Sequence, residues 1–159
     1  MKRLVVYYSL SGNTEEAAQK IAEKLGADLL KVDTVKPMPK SFAAQIVVGG
    51  GQVAMNRIPK IKPFDKDPTL YDEIILGSPI WNGKGVPAIN AFLSDESAAA
   101  KVTSLFFSSG GGEVRKGLDA ITKKLPNLKN SVSLYDRKHE NSKDNDAKID
   151  QFVETIKNA

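Results

Sequence analysis

Two periodicities alternate along this chain, and that alternation limits the folds open to it more than any single motif. Leu4–Tyr8 is an unbroken apolar run, suited to a strand buried on both faces of a parallel sheet. Ala18, Ile21, Ala22 and Leu25 then recur at the 0, 3, 4, 7 spacing of a helix stripe, which Gly26 ends. The alternation continues. "DLLKVD" (28–33), "EIILG" (73–77), "VTSLFF" (102–107) and "SVSLYD" (131–136) read as four more strands. Pro87 suits a first helical turn ahead of Ile89, Phe92 and Leu93. Val114, Leu118, Ile121 and Leu125 make the next stripe, and Ile149, Phe152, Val153 and Ile156 the last. Residues 38–64 fit less well, reading as a helix interrupted or ended by three glycines and then an extended, Pro-punctuated arm. Parallel strands require right-handed helical crossovers that cover both sheet faces, so the pattern predicts a doubly wound, five-stranded α/β sheet in three α/β/α layers.

With 159 residues, 41% of them hydrophobic, the chain is sized for a single domain over residues 1–159. It has no cysteine, which excludes thiolate metal sites and cysteine nucleophiles and is compatible with a reducing cytoplasm, the expected location. No apolar run nears the roughly 20 residues of a membrane helix. The net charge of +4 gathers in one place: Lys36, Lys40, Arg57, Lys60 and Lys62 stand between Thr34 and Phe64, a stretch with no carboxylate. Nucleic-acid footprints are denser and carry aromatic or helix-borne readout residues, so a solvated face is expected here and no nucleic-acid partner. His139, the single histidine, lies in the charged "DRKHEN" turn and reads as a solvated residue, leaving no histidine triad or multi-histidine metal site.

Doubly wound sheets bind ligands beyond the carboxyl ends of their strands, at the topological switch point. The loops after strands one, three and four are the unusual ones. In "SLSGNT" the hydroxyls of Ser9, Ser11 and Thr14, the amide of Asn13 and the backbone freedom of Gly12 precede a helix N-terminus, whose unpaired N–H groups can hold a phosphate without a cation. Simple capping, with Asn13 as N-cap and Glu16 completing a capping box, accounts for part of the same pattern. Capping needs one such residue, whereas five of these six are of that type. The second loop, "GSPIWNGKGVP" (77–87), holds the only tryptophan, Trp81, a flat surface that can pack in the core or stack on a ring. Its Asn82, Gly83 and Gly85 let backbone amides approach a ring edge, and Lys84 would set a cation beside it. The third, "SSGGGEV" (108–114), offers a row of accessible N–H groups suited to a heterocycle. The triphosphate-binding loop with its lysine and the dinucleotide fingerprint are both missing, so one phosphate plus a planar heterocycle fits best.

With these loops the chain resembles the flavodoxin family nearly end to end. The likeness rests on the S/T-x-S/T-G-N-T phosphate loop, matched by Ser9, Ser11, Gly12, Asn13 and Thr14, and on a Gly-x-Pro-x-Trp loop, matched by Gly77, Pro79 and Trp81. The resemblance implies a flavodoxin-like sheet of order 2-1-3-4-5, noncovalent FMN and electron transfer by the flavin. Carried onto this sequence, it makes Ser9, Leu10, Ser11, Gly12, Asn13, Thr14, Pro79, Ile80, Trp81, Asn82, Gly83, Lys84, Gly85, Ser108, Ser109, Gly110, Gly111 and Gly112 the cofactor-binding residues, with no catalytic side chain. Strand five runs straight into the last helical region, as in short-chain members. Two departures stand out: the third loop has no aromatic residue, and the chain is basic where the family is typically acidic. The expected function is that of an FMN electron carrier, a monomer passing electrons from a reductase donor to an acceptor enzyme. The alternatives are an FMN-dependent NAD(P)H:quinone-type reductase and a flavodoxin-like module that has lost FMN.

Overall fold

The structure, a computed structural model, describes residues 1–39, 44, 45, 47, 48, 51, 58–81, 86–110 and 115–159. Five strands form one parallel sheet: β1 (Arg3–Tyr7), β2 (Asp28–Lys31), β3 (Glu73–Pro79), β4 (Val102–Ser109) and β5 (Asn130–Tyr135), in the order β2-β1-β3-β4-β5. The three central strands, β1, β3 and β4, are buried along most of their length because both their faces are covered. Alternation then sorts neighbours to opposite layers. Val5 and Tyr7 face α1 (Asn13–Leu25) and α5 (Asn145–Lys157), packing with Ala18, Ile21, Ile149 and Phe152. Leu4, Val6 and Tyr8 face the layer of α2 (Pro87–Phe92), α3 (Glu96–Ala99) and α4 (Arg115–Thr122), packing with Ile89, Phe92, Ala98 and Ile121. Phe106 and Phe107 part in the same way, one to each core, which explains two adjacent buried rings.

The strand ends that bear the loops are set by packing in the middle of the sheet. Gly77 pairs with Phe106 across β3 and β4, and a Cβ on Gly77 would collide with that ring. Only glycine lets the two strands close up there. The helix α2 begins with Pro87, as its sequence suggests, where the missing N–H costs nothing. The periodicity does not reveal α3, whose four residues are too short for a stripe; Asp95 starts it by accepting the N–H groups of Ser97 and Ala98 at 3.0 and 3.2 Å.

The extended arm after β2 is present: Thr34 and Ile61 form an antiparallel bridge, supported by Val35 N–H to Lys60 O at 2.9 Å and Lys62 N–H to Asp33 O at 2.8 Å. Most of the helix expected before it, together with Lys40 and Arg57, lies outside the described residues. Lys36, Lys60 and Lys62 are exposed. Among the described residues no helix is long and apolar enough to cross a membrane.

Candidate functional site

The carboxyl ends of β1, β3, β4 and β5 open into a cleft of about 960 Å3, lined by Leu10, Ser11, Asn13, Thr14, Pro79, Ile80, Trp81, Ser108, Ser109 and Gly110, and by Asp136–Glu140 after β5. Its size lies within the range of roughly 300–1,000 Å3 usual for cofactor sites.

The first loop is a shaped turn rather than a capping box. Gly12 takes the N-cap position at φ 90°, a left-handed conformation that favours glycine, and Asn13 is already the first helical residue. Among the described residues no side chain caps the helix, which sets aside the alternative reading of Asn13 as a simple cap. The Asn13 amide instead donates to Ser11 Oγ at 3.0 Å, while Ser9 Oγ accepts the Gly12 N–H at 3.1 Å. The first N–H that finds a helical acceptor is that of Glu16, bonded to Gly12 O at 3.0 Å. The preceding N–H groups of Asn13, Thr14 and Glu15 have no acceptor among the described residues, and they carry the positive end of the α1 dipole.

Hydrogen bonds connect the three loops. Thr14, 1% exposed, shares a 2.6 Å hydroxyl bond with Ser108 at the end of β4. The backbone carbonyl of Ser108 accepts the Ile80 N–H at 3.0 Å, tying in the loop after β3. Ser108 therefore links the start of α1 to the Trp81 loop. Trp81 is partly buried and stands edge-on to Tyr8, with ring centroids 5.9 Å apart. Burial, with Asp33 adding to it, pushes the Tyr8 phenol up to about 12, so it stays neutral beside the indole. Trp81 is shared by a second cavity of about 400 Å3, whose other walls include Tyr8, Val35, Met38, Ile58 and Pro87, with Lys36 and Lys60 at hand.

Of the expected cofactor contacts, Leu10, Ser11, Asn13, Thr14, Pro79, Ile80, Trp81, Ser108, Ser109 and Gly110 line the one cleft. Ser9 and Gly12 shape its first loop from behind. Asn82, Gly83, Lys84, Gly85, Gly111 and Gly112 lie outside the described residues. Sequence reasoning missed the loop after β5, and Gln45, which borders the cleft and donates to Pro39 O at 2.8 Å. His139 is not simply solvated: its ring stacks on Tyr135 at 4.5 Å, and its Nδ1 accepts the Asn141 N–H at 3.1 Å. Burial raises the Asp136 carboxyl above the usual carboxylate range, with the nearby His139 opposing the shift. The signal for these residues was positional, since the end of β5 shares the sheet edge with the loops that were singled out.

The cleft suits the FMN implied by the sequence resemblance. Free helix N–H groups, hydroxyls and an indole all border it, and hydrogen bonds tie together the loops that carry them. No group of three or more metal-ligating side chains occurs among the described residues.

A five-stranded doubly wound sheet with such a cleft at its switch point defines a flavodoxin-like protein. A family model described as flavodoxin matches residues 2–156, and the chain belongs to that family. Among solved structures, it is similar to a candidate flavoprotein from Bacteroides eggerthii at 27% identity and TM-score 0.74, covering 96% of this chain and 98% of that one. A Lactobacillus acidophilus flavoprotein solved in complex with FMN matches at 24% identity and TM-score 0.70, over 95% and 97% of the two chains. A short-chain flavodoxin associated with a bacterial microcompartment shares the fold at 17% identity and TM-score 0.56, over 100% and 99%.

Proposed function

We propose that the chain binds one FMN in this cleft, noncovalently, and carries electrons between redox proteins. The observation that carries this reading is the Thr14–Ser108–Ile80 hydrogen-bond chain, which joins an anion-binding helix end to a loop bearing an indole. Family membership and the FMN complex of the Lactobacillus acidophilus protein support it. The flavin, when bound, supplies the redox chemistry by accepting and releasing one or two electrons. The protein holds and insulates it. The Asn13, Thr14 and Glu15 N–H groups and the Ser11 hydroxyl would take the phosphate, with Ser9 and Gly12 fixing the turn. Trp81 would flank the ring, and Ser109, Gly110, Gly111 and Gly112 would serve the ring's polar edge, together with Asn82 to Gly85. Leu10, 37% exposed, would form part of the rim that a partner meets.

A second reading, an FMN-dependent NAD(P)H:quinone-type reductase, gains support from one feature. The cavity on the Tyr8 side of Trp81 is mostly apolar and large enough for a small planar acceptor. Titration of the purified protein with FMN, followed by NAD(P)H consumption with and without a quinone, separates the readings. The carrier binds FMN and consumes NAD(P)H only when a reductase is added; turnover by the protein alone would favour the reductase.

A further inference from the structure

The loop Ser9–Thr14 has no cation of its own, yet the fold delivers one from the far end of the chain. Arg137, the second residue beyond β5, donates to Asn13 Oδ1 twice, through its backbone N–H at 3.2 Å and its Nε at 3.0 Å. Its Nη2 donates to Ser11 O at 2.9 Å. That same nitrogen stands 3.2 Å from where a Cβ on Gly12 would lie, so the guanidinium covers the left-handed glycine that opens α1. Arg137 also borders the cleft beside Ser11, Asn13 and Thr14. A guanidinium has five N–H donors, and two of these bond the loop. One more is on Nη2 and two are on Nη1, which lies 3.7 Å from Glu16 Oε2, beyond hydrogen-bond length.

We propose that Arg137 is a phosphate contact of this site, through which it selects FMN over the unphosphorylated riboflavin. The proposal rests on the FMN reading of the cleft. A helix end supplies about half an elementary charge, whereas a phosphate monoester carries −1.5 to −2 near neutral pH, so most of the ligand's charge would be left to other groups. Among the described residues, Arg137 is the cation that bonds the loop framing this position. An arginine serving only as a surface partner for Glu16 would aim its short bonds at that carboxylate; here they go to the loop that frames the phosphate position. The neighbouring basic residues are less well placed for the task. His139 has its Nδ1 engaged by Asn141, and Lys138, though it borders the cleft, makes no hydrogen bond among those described.

Flavin fluorescence titrations of the full chain and its R137Q and R137K variants, with FMN and with riboflavin at low and high salt, test this. Wild type should prefer FMN, and R137Q should weaken FMN on the order of tenfold while changing riboflavin by less than about twofold. R137Q should also flatten the salt dependence of FMN binding, and R137K should restore part of it. Unchanged FMN affinity in R137Q would overturn the proposal. Equal losses for both ligands would overturn it too, leaving Arg137 as a brace for the loop. If R137Q does not fold, wild type alone decides: FMN affinity no more salt-sensitive than riboflavin affinity would refute the contact. A wild type that binds neither flavin defeats the FMN reading itself, a result separate from any failure of the variants.

Discussion

At the anion end of the cleft, Ser9 holds Gly12 while Ser11, Asn13 and Arg137 are joined by short bonds between residues as many as 126 positions apart, whereas at the ring end Trp81 is held by an edge contact with Tyr8. The first region is polar and geometrically over-determined; the second is apolar and defined mainly by shape. Hydrogen bonds to a charged group weaken steeply with misalignment, while stacking tolerates a shift of the ring. Ligand identity is therefore expected to be read at the phosphate, and redox tuning to be the business of the ring end.

The largest break in that contrast should come from Ser11→Glu, which puts a carboxylate where the phosphate is expected. FMN affinity should fall by about 100-fold or more with the far-UV circular dichroism unchanged, since the two negative groups would contend for the same donors. Retained affinity would refute the phosphate assignment. Gly12→Ala acts on stability as well: at φ 90° a Cβ is strained and also meets Arg137 Nη2. A loss of about 1–2 kcal/mol, read as a fall in Tm of roughly 2–8 °C, is expected, together with weaker FMN binding. At the other end, Trp81→Ala should weaken FMN and riboflavin alike by roughly tenfold, because it removes a stacking surface and leaves the phosphate site intact. A loss confined to FMN would contradict the division of labour.

The smallest effect concerns Asp136, which stands beside both Arg137 and the loop after β4, its Oδ2 3.2 Å from where a Cβ on Gly110 would lie. Its carboxyl is raised in the folded chain by burial, so the neutral form is favoured on folding. The stability this contributes is present below the unfolded carboxylate pKa and is lost as pH rises through the folded value. At neutral pH the charge opposes folding. Asp136→Asn should raise Tm by about 1 °C at pH 7 and lose that advantage below about pH 3, as thermal melts at the two pH values would show.

The sheet was legible because apolar-rich segments alternate with helix stripes, most plainly in the unbroken run Leu4–Tyr8, and all five segments read as strands became strands. Legibility was similar for the first loop, where hydroxyls and an amide crowd more densely than capping requires. Two things escaped. Asn13 looks like an N-cap by preference alone, but Gly12 can adopt the left-handed turn and takes that position, freeing the amide to bond Ser11 and Arg137. Arg137 itself lies in "DRKHEN", where charge density in sequence is indistinguishable from a solvated face. Its role depends on β5 ending level with β4, as the Ser109–Tyr135 pairing shows, a fact of register that no local pattern encodes. The short helix α3 and the 3-10 turn Glu140–Asp144 were hidden for a different reason, being too brief to build a period.

The central claim is that this cleft is a site for one phosphorylated flavin. Equilibrium titration of the purified protein with FMN and with riboflavin tests it most directly, by flavin fluorescence and visible absorbance. The predicted result is one FMN bound per chain, with riboflavin weaker by about tenfold or more. No binding of FMN, or equal affinity for the two flavins, would contradict it.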